Sequence, residues 1–176
     1  MTRTRPDREA FLELARRYLH VFGPTTPEFF AKWAGIAVVS AVDAFEKLRK
    51  SLTPVRTPIG EASILSRDES LFHAVPGPAA PARLLPSGDT WFLLQDADRE
   101  LLLPDERLRS QLWTSRVWPG ALLVEGETAG TWRRAGHVLT VSPWRVLSSA
   151  QQAAVEAEVA SMPLPGIDRP IEVHWD

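Results

Sequence analysis

Five hydroxyl and basic side chains between positions 40 and 67 have the types and spacing that suit contact with a nucleic-acid backbone. Ser40 and Lys47 lie on the outward face of a predicted helix, and Lys50 follows on the same face. Arg56 lies on the first of two predicted strands that come next, and Arg67 lies just past the second. Because Lys and Arg neutralise phosphates and release bound counterions, this set predicts a DNA-binding surface. The alternative is an exposed surface on which Arg56 only protects a strand edge from aggregation.

Two carboxylates on the same helix limit that prediction. Asp43 and Glu46 share the outward face, and phosphates would repel both if the helix sat deep in a groove. We therefore expect little sequence-specific reading by this helix alone. The charge along the chain favours contact through the first part, since residues 1–56 hold ten Lys/Arg and six Asp/Glu, whereas the remainder holds ten and sixteen. A scaffold or protein-interaction module is the competing function.

The elements that would carry these residues follow the order of a winged helix-turn-helix. An apolar stripe predicts a first helix that begins after Asp7 and runs through Phe22. Thr25 or Thr26 could cap a second helix with Pro27 in its first turn, because proline lacks an N–H that would be unpaired there. Gly35 would end that helix.

The third helix begins at about Ser40, and apolar residues lie on one of its faces: Val42, Phe45, Leu48 and Leu52. Strand patterns then cover residues 53–59 and 62–66, joined by a Gly60-Glu61 turn.

The second half of the chain predicts a different kind of domain. Residues 75–86, VPGPAAPARLLP, are rich in proline and indicate a stiff linker. Asp105 could cap a short helix, and strands are predicted at residues 121–125, 129–134 and 137–146, followed by a helix from Ser148 or Ser149 and an edge strand in the last residues. The predicted fold class is therefore α+β. A winged helix-turn-helix domain spans residues 1–74, the linker spans 75–86, and a small antiparallel β-sheet or barrel domain with a C-terminal helix spans 87–176.

Three stretches resemble a known family. RYLHVFGPTTPEFFAKWAGI (17–36), RLLPSGD (83–89) and LLVEGETAGTWRR (122–134) resemble the winged-helix proteins that include bacterial alkylpurine and crosslink-unhooking DNA glycosylases. The resemblance covers most of residues 10–160 and is to the C-terminal half of such proteins. It implies a bacterial DNA-repair role, double-stranded DNA as the partner, and a partner chain or a missing N-terminal half.

The Gly-x-Trp-Arg motif in the last stretch singles out Arg133. The resemblance favours Arg133 as a sixth DNA-contacting residue. The competing interpretation is a structural arginine that pairs with Asp89, Asp98 or Glu125.

Catalysis by this chain is not expected. The glycosylases of the group use a Gln-x-Gln pair, and the only glutamines here are Gln95, Gln111, Gln151 and Gln152, no two of which are separated by one residue. The four histidines lack metal-ligand spacing, and no phosphate-binding glycine loop or serine nucleophile motif occurs. We therefore expect a non-catalytic DNA-binding protein without metal or cofactor, and a repair glycosylase or fragment of one as the alternative.

The chain has no cysteine, no apolar core of a signal peptide, and no run of the ~20 apolar residues needed to cross a bilayer. These features predict a cytoplasmic protein that does not enter membranes.

Overall fold

The computed structural model describes residues 8–163 and 169–176. Asp7, which the sequence places before the first helix, lies outside these residues. The chain divides into two compact units, Met1–Pro76 and Gly77–Asp176. Both units contain helices and strands, so the chain is a mixed α/β protein.

The first unit consists of helices followed by a hairpin. In chain order its elements are α1 (Arg8–Phe22), α2 (Pro27–Ala34), α3 (Val38–Leu48), β1 (Leu52–Thr57), β2 (Gly60–Leu65) and α4 (Glu69–His73), with 3-10 turns at Arg49–Ser51 and Ser66–Asp68. The three long helices and the end of β2 enclose one core, which contains Ala15, Tyr18, Leu19, Phe30, Ala31, Ala41, Ala44, Phe45, Leu48 and Leu65.

Local sequence explains the ends of α2. The Thr26 side chain accepts a hydrogen bond from the Phe29 N–H at 3.4 Å, and Pro27 is the first helical residue. At the other end Gly35 takes the left-handed conformation, φ 64°, which glycine adopts without steric cost. The predicted cap and stop of this helix are confirmed.

The hairpin differs from its prediction in register. Thr57 pairs with Gly60, so Pro58 and Ile59 form the two-residue loop rather than Gly60 and Glu61. The backbone of Thr25, just before α2, adds an antiparallel bridge to Ser63 of β2 through hydrogen bonds of 3.0 and 2.9 Å.

The second unit is built on a five-stranded sheet in the order β3-β4-β5-β6-β7. Its elements are β3 (Ala82–Leu85), α5 (Asp96–Leu102), α6 (Glu106–Leu112), β4 (Gly120–Val124), β5 (Glu127–Ala135), β6 (Val138–Pro143), α7 (Ser149–Ser161) and β7 (Glu172–Trp175), with a 3-10 turn at Thr90–Leu93. Helix α7 begins with a capping box in which Ser148 and Gln151 bond reciprocally, and Ser148 is one of the two residues predicted to begin it. Val155 and Val159 of α7 are buried in a core with the sheet.

Two sequence predictions for this unit need correction. Residues 82–85, assigned to the linker, form strand β3, which pairs with β4. The sheet is also not wholly antiparallel, because β7 lies parallel to β6. A parallel pair requires a long crossover, and the segment with α7 provides it.

No helix in the described part of the chain is both long and apolar enough to cross a membrane.

Candidate nucleic-acid interface

The outward face of α3 is less basic than its sequence suggests. Ser40 is exposed there. The Lys47 ammonium forms an ion pair with the Asp43 carboxylate one turn earlier on the helix. This pairing offsets the charge that Lys47 would bring to a phosphate.

The first turns of α3 also present apolar side chains to solvent. Val38, Val39 and Val42 are 48%, 74% and 40% exposed. Val42 was expected on the buried face, but Ala41 and Ala44 take that place in the core. A helix that reads base edges presents hydrogen-bonding groups in these positions, so α3 offers poor chemistry for sequence recognition.

Lys50 and Arg56 keep exposed positions outside α3. Lys50 lies in the 3-10 turn that follows the helix. Arg56 is exposed on β1, close to the hairpin loop, and faces Glu61 across the strand pair. Both side chains have access to a ligand that approaches the first unit.

Arg67 lies at the opposite end of the hairpin from Arg56. It belongs to the 3-10 turn after β2, and its Nε is 3.7 Å from Asp68 Oδ1. With Arg16 of α1 it lines a notch of about 300 Å³ that Ser51, Ser66 and Leu65 complete. Helical periodicity shows only that Arg16 lies off the apolar stripe of α1, so the sequence alone indicated no role for it.

A buried carboxylate fixes the turn that carries Arg67. Asp68 is 8% exposed, and its Oδ2 lies 2.9 Å from Nδ1 of His20 on α1. This contact joins residues far apart in the chain, and no local pattern indicated it. It orients the turn against α1 and thereby places Arg67 next to Arg16.

Two arginines of α1 lie close to the same carboxylate, that of Glu13. Arg17 Nε donates to Glu13 Oε1 at 3.0 Å, and this hydrogen bond is the largest cause that lowers the pKa of Glu13 below its usual value. Arg16 reaches the other oxygen of Glu13 only at 3.7 Å. Glu13 is therefore held mainly by Arg17.

Arg133, unlike the other five candidates, belongs to the second unit. It is exposed on β5, and its Nη2 donates a hydrogen bond of 3.0 Å to the Val117 carbonyl. The described residues give it no ion pair with Asp89, Asp98 or Glu125, so a carbonyl replaces the carboxylate partner that the sequence suggested. The side chain thus has a structural contact and remains accessible.

The rest of the Gly-x-Trp-Arg motif serves packing. Trp132 lies in the core of the sheet, and its indole Nε1 donates to the Leu85 carbonyl of β3 at 3.1 Å. A Cβ at Gly130 would come within 2.5 Å of the Ser142 carbonyl oxygen on β6. The glycine is needed for this close approach of strands, which explains the motif without a ligand.

Two of the four glutamines also have structural partners. Gln111 accepts a 2.9 Å hydrogen bond from the Trp144 indole, and Gln151 forms the capping box of α7. Within residues 8–163 and 169–176, no group of three His, Asp or Glu side chains is arranged to hold a metal ion.

Comparison with known proteins gives one family. The family described as DNA glycosylase AlkZ-like matches residues 1–163. An interstrand DNA cross-link repair glycosylase from Streptomyces sahachiroi is 29% identical over 163 residues, covering 88% of this chain and 42% of that protein. The solved structure of the Streptomyces sahachiroi DNA glycosylase AlkZ is similar in fold, with a TM-score of 0.76 at 24% identity over 100% of this chain and 48% of that one. The chain thus spans less than half the length of these relatives.

Proposed function

The chain belongs to the AlkZ-like DNA glycosylase family, and on that premise we propose that its first unit is a winged helix that docks on the backbone of duplex DNA. In this proposal the chain contributes DNA binding to repair and does not remove a base by itself.

The observation that carries the proposal is the Thr25–Ser63 bridge. A winged helix places a short strand between its first two helices, and that strand pairs with the hairpin after the third helix. In this chain Thr25 lies between α1 and α2, and its backbone pairs with β2 through two hydrogen bonds. The element order α1, Thr25, α2, α3, β1, β2 is the order of that motif.

The exposed charges favour backbone contact over base reading. Arg56, Lys50 and Arg67 are exposed, whereas Lys47 is paired with Asp43. The first turn of α3 is apolar, and phosphate contacts position a protein without reading sequence. We therefore expect binding with little preference for DNA sequence.

The non-catalytic part of the proposal rests on the missing Gln-x-Gln pair. A glycosylase must hold an extruded base and a water molecule with polar groups in a pocket. The glutamines of this chain are not spaced as that pair, and two of them are held by structural hydrogen bonds. Base removal would then need residues that this chain does not supply.

One observation favours a second function. The exposed valines at positions 38, 39 and 42 form an apolar patch on α3, which suits contact with a protein surface better than contact with phosphate. A protein-interaction module is the function to which this patch points.

Fluorescence anisotropy with a labelled duplex distinguishes these functions. At ~20 mM salt we expect binding that weakens as salt rises, because counterions are released from each contacted phosphate. Arg56→Ala should reduce the slope of log affinity against log salt by about 0.9 units, and Lys47→Ala by clearly less because Asp43 already offsets its charge. Arg107→Ala, which removes an exposed arginine of α6, serves as the matched control and should leave the slope unchanged.

Three results would contradict the proposed function. A flat titration of the unchanged protein would refute DNA docking and favour protein interaction. Equal slopes for the Arg56 and Arg107 variants would show that the hairpin is not the contact surface. Release of abasic sites from alkylated or crosslinked duplex by this chain alone would refute the non-catalytic part.

A further inference from the structure

We propose that the notch between Arg16 and Arg67, here called the arginine notch, binds one phosphate group of the DNA backbone. The inference rests on the proposed DNA docking for its ligand, but its chemistry can be tested without DNA. The notch has a volume of about 300 Å³, and Ser51, Ser66 and Leu65 complete its lining.

Three separate segments form the arginine notch. Arg16 comes from α1, Ser51 from the turn after α3, and Ser66 and Arg67 from the turn after β2. Leu65 is buried in the same core as Ala15, the residue before Arg16. Packing of the core therefore holds the segments together, and the two arginines share one site because of the tertiary fold.

Each arginine of the notch retains N–H groups for an anion, because the nearby carboxylate reaches it only at 3.7 Å and makes a shorter contact, through its other oxygen, with a different side chain. Glu13 lies 3.7 Å from Arg16 but accepts a 3.0 Å hydrogen bond from Arg17. Asp68 lies 3.7 Å from Arg67 but contacts His20 at 2.9 Å. Arginine carries five N–H donors, so both guanidinium groups can bind a further acceptor.

The chemistry of the lining favours phosphate over a nucleobase. A guanidinium fork matches two phosphate oxygens, and serine hydroxyls can donate to the remaining ones. A base would require a stacking surface, and none of the described lining residues is aromatic.

The arginine notch would contact a different phosphate from Arg56. Arg56 pairs with Glu61, whereas the notch begins at Leu65, so roughly 13 Å of strand separates them at ~3.3 Å per residue. Successive phosphates of one DNA strand are about 3.4 Å apart along the helix axis, so this distance covers several of them. The effects of the two sites on the salt slope should therefore add.

Salt titration of duplex binding tests the proposal with an arginine control outside the notch. Arg16→Ala and Arg67→Ala should each lower the slope of log affinity against log salt by up to about 0.9 units. Arg107→Ala removes an exposed arginine of α6 that does not line the notch, and should leave the slope unchanged. Equal slopes for the Arg16 and Arg107 variants, with the Arg56 effect intact, would overturn the notch and leave the DNA-docking function standing.

A second experiment uses inorganic phosphate and NMR spectroscopy of the labelled chain. We expect saturable shifts of the Ser51 and Ser66 amides that disappear in Arg16→Ala and persist in Arg107→Ala. If the unchanged protein fails to bind duplex, the phosphate titration alone tests whether the notch binds phosphate, and the absence of shifts overturns the proposal. Shifts that depend on Arg16 together with an unchanged DNA slope would assign the notch to free phosphate and overturn its role on the backbone.

Discussion

Gly120→Ala should destabilise the second unit strongly, because the glycine makes room for the tryptophan of the Gly-x-Trp-Arg motif. A Cβ at position 120 would overlap Nε1 and Cε2 of the Trp132 indole and lie 2.7 Å from the Leu85 carbonyl oxygen. Inserting a methyl group into a packed core usually costs about 1–3 kcal/mol, and here one of the obstacles is backbone that cannot rotate away. We therefore expect a loss of ~3 kcal/mol in the free energy of unfolding.

Thermal unfolding followed by tryptophan fluorescence measures this loss. Six of the seven tryptophans lie in the second unit, so the signal reports mainly on its unfolding. For a unit of this size each kcal/mol lowers the melting temperature by about 4–8 °C, so the variant should melt more than ~10 °C below the unchanged protein. Gly88→Ala is the control, because nothing lies within 4 Å of its added Cβ.

A double-mutant cycle identifies the cause. In a Trp132→Leu background the penalty of Gly120→Ala should shrink by about 1–2 kcal/mol, since the indole no longer occupies the space, while the contact with Leu85 remains. If Gly120→Ala and Gly88→Ala have the same melting temperature, the explanation of the motif by packing is wrong. It is also wrong if the losses in free energy of unfolding caused by the changes at 120 and 132 are additive.

Two further predictions concern the first unit. Thr26→Ala should lower the free energy of unfolding by about 0.5–1 kcal/mol, the low end for a lost N-cap, because the hydrogen bond to Phe29 is long at 3.4 Å. Thr26→Ser should keep the cap. Hydrogen exchange of the α2 amides measures this, and it should be faster in the alanine variant only. The pKa of Glu13 is lowered in the folded chain, so the stability that this group contributes is present above its usual value of 4.5 and is lost as the pH falls through the lower folded value. Glu13→Gln should therefore reduce the melting temperature slightly at neutral pH and not in strong acid; an equal difference at both pH values would contradict this linkage.

Local chemistry made several elements readable from the sequence. Thr26, Pro27 and Gly35 bound α2 because caps and stops act through hydrogen bonds and dihedral angles within a few residues. The start of α7, predicted at Ser148 or Ser149, was predictable for the same reason. The stretches that resemble the family can be recognised without a tertiary structure, and the match over residues 1–163 confirms that resemblance.

Position relative to other elements required the tertiary structure. Helical periodicity predicted that Val42 is buried, but the small side chains of Ala41 and Ala44 are buried instead. The face of α3 that is buried depends on the helices that pack against it. The parallel pairing of β7 with β6 likewise depends on a partner that lies far away in the chain.

The candidate site shows the same division. Six polar side chains could be placed on or beside predicted elements from the linear sequence: Ser40, Lys47, Lys50, Arg56, Arg67 and Arg133. The Asp43–Lys47 pair is local, because the two residues lie four positions apart on one helix. The contact of Arg133 with the Val117 carbonyl and the notch that Arg67 shares with Arg16 depend on the tertiary structure. The physical reason is that a charge acts through its neighbours in space, and the core that unites Ala15 with Leu65 chooses those neighbours for Arg16 and Arg67.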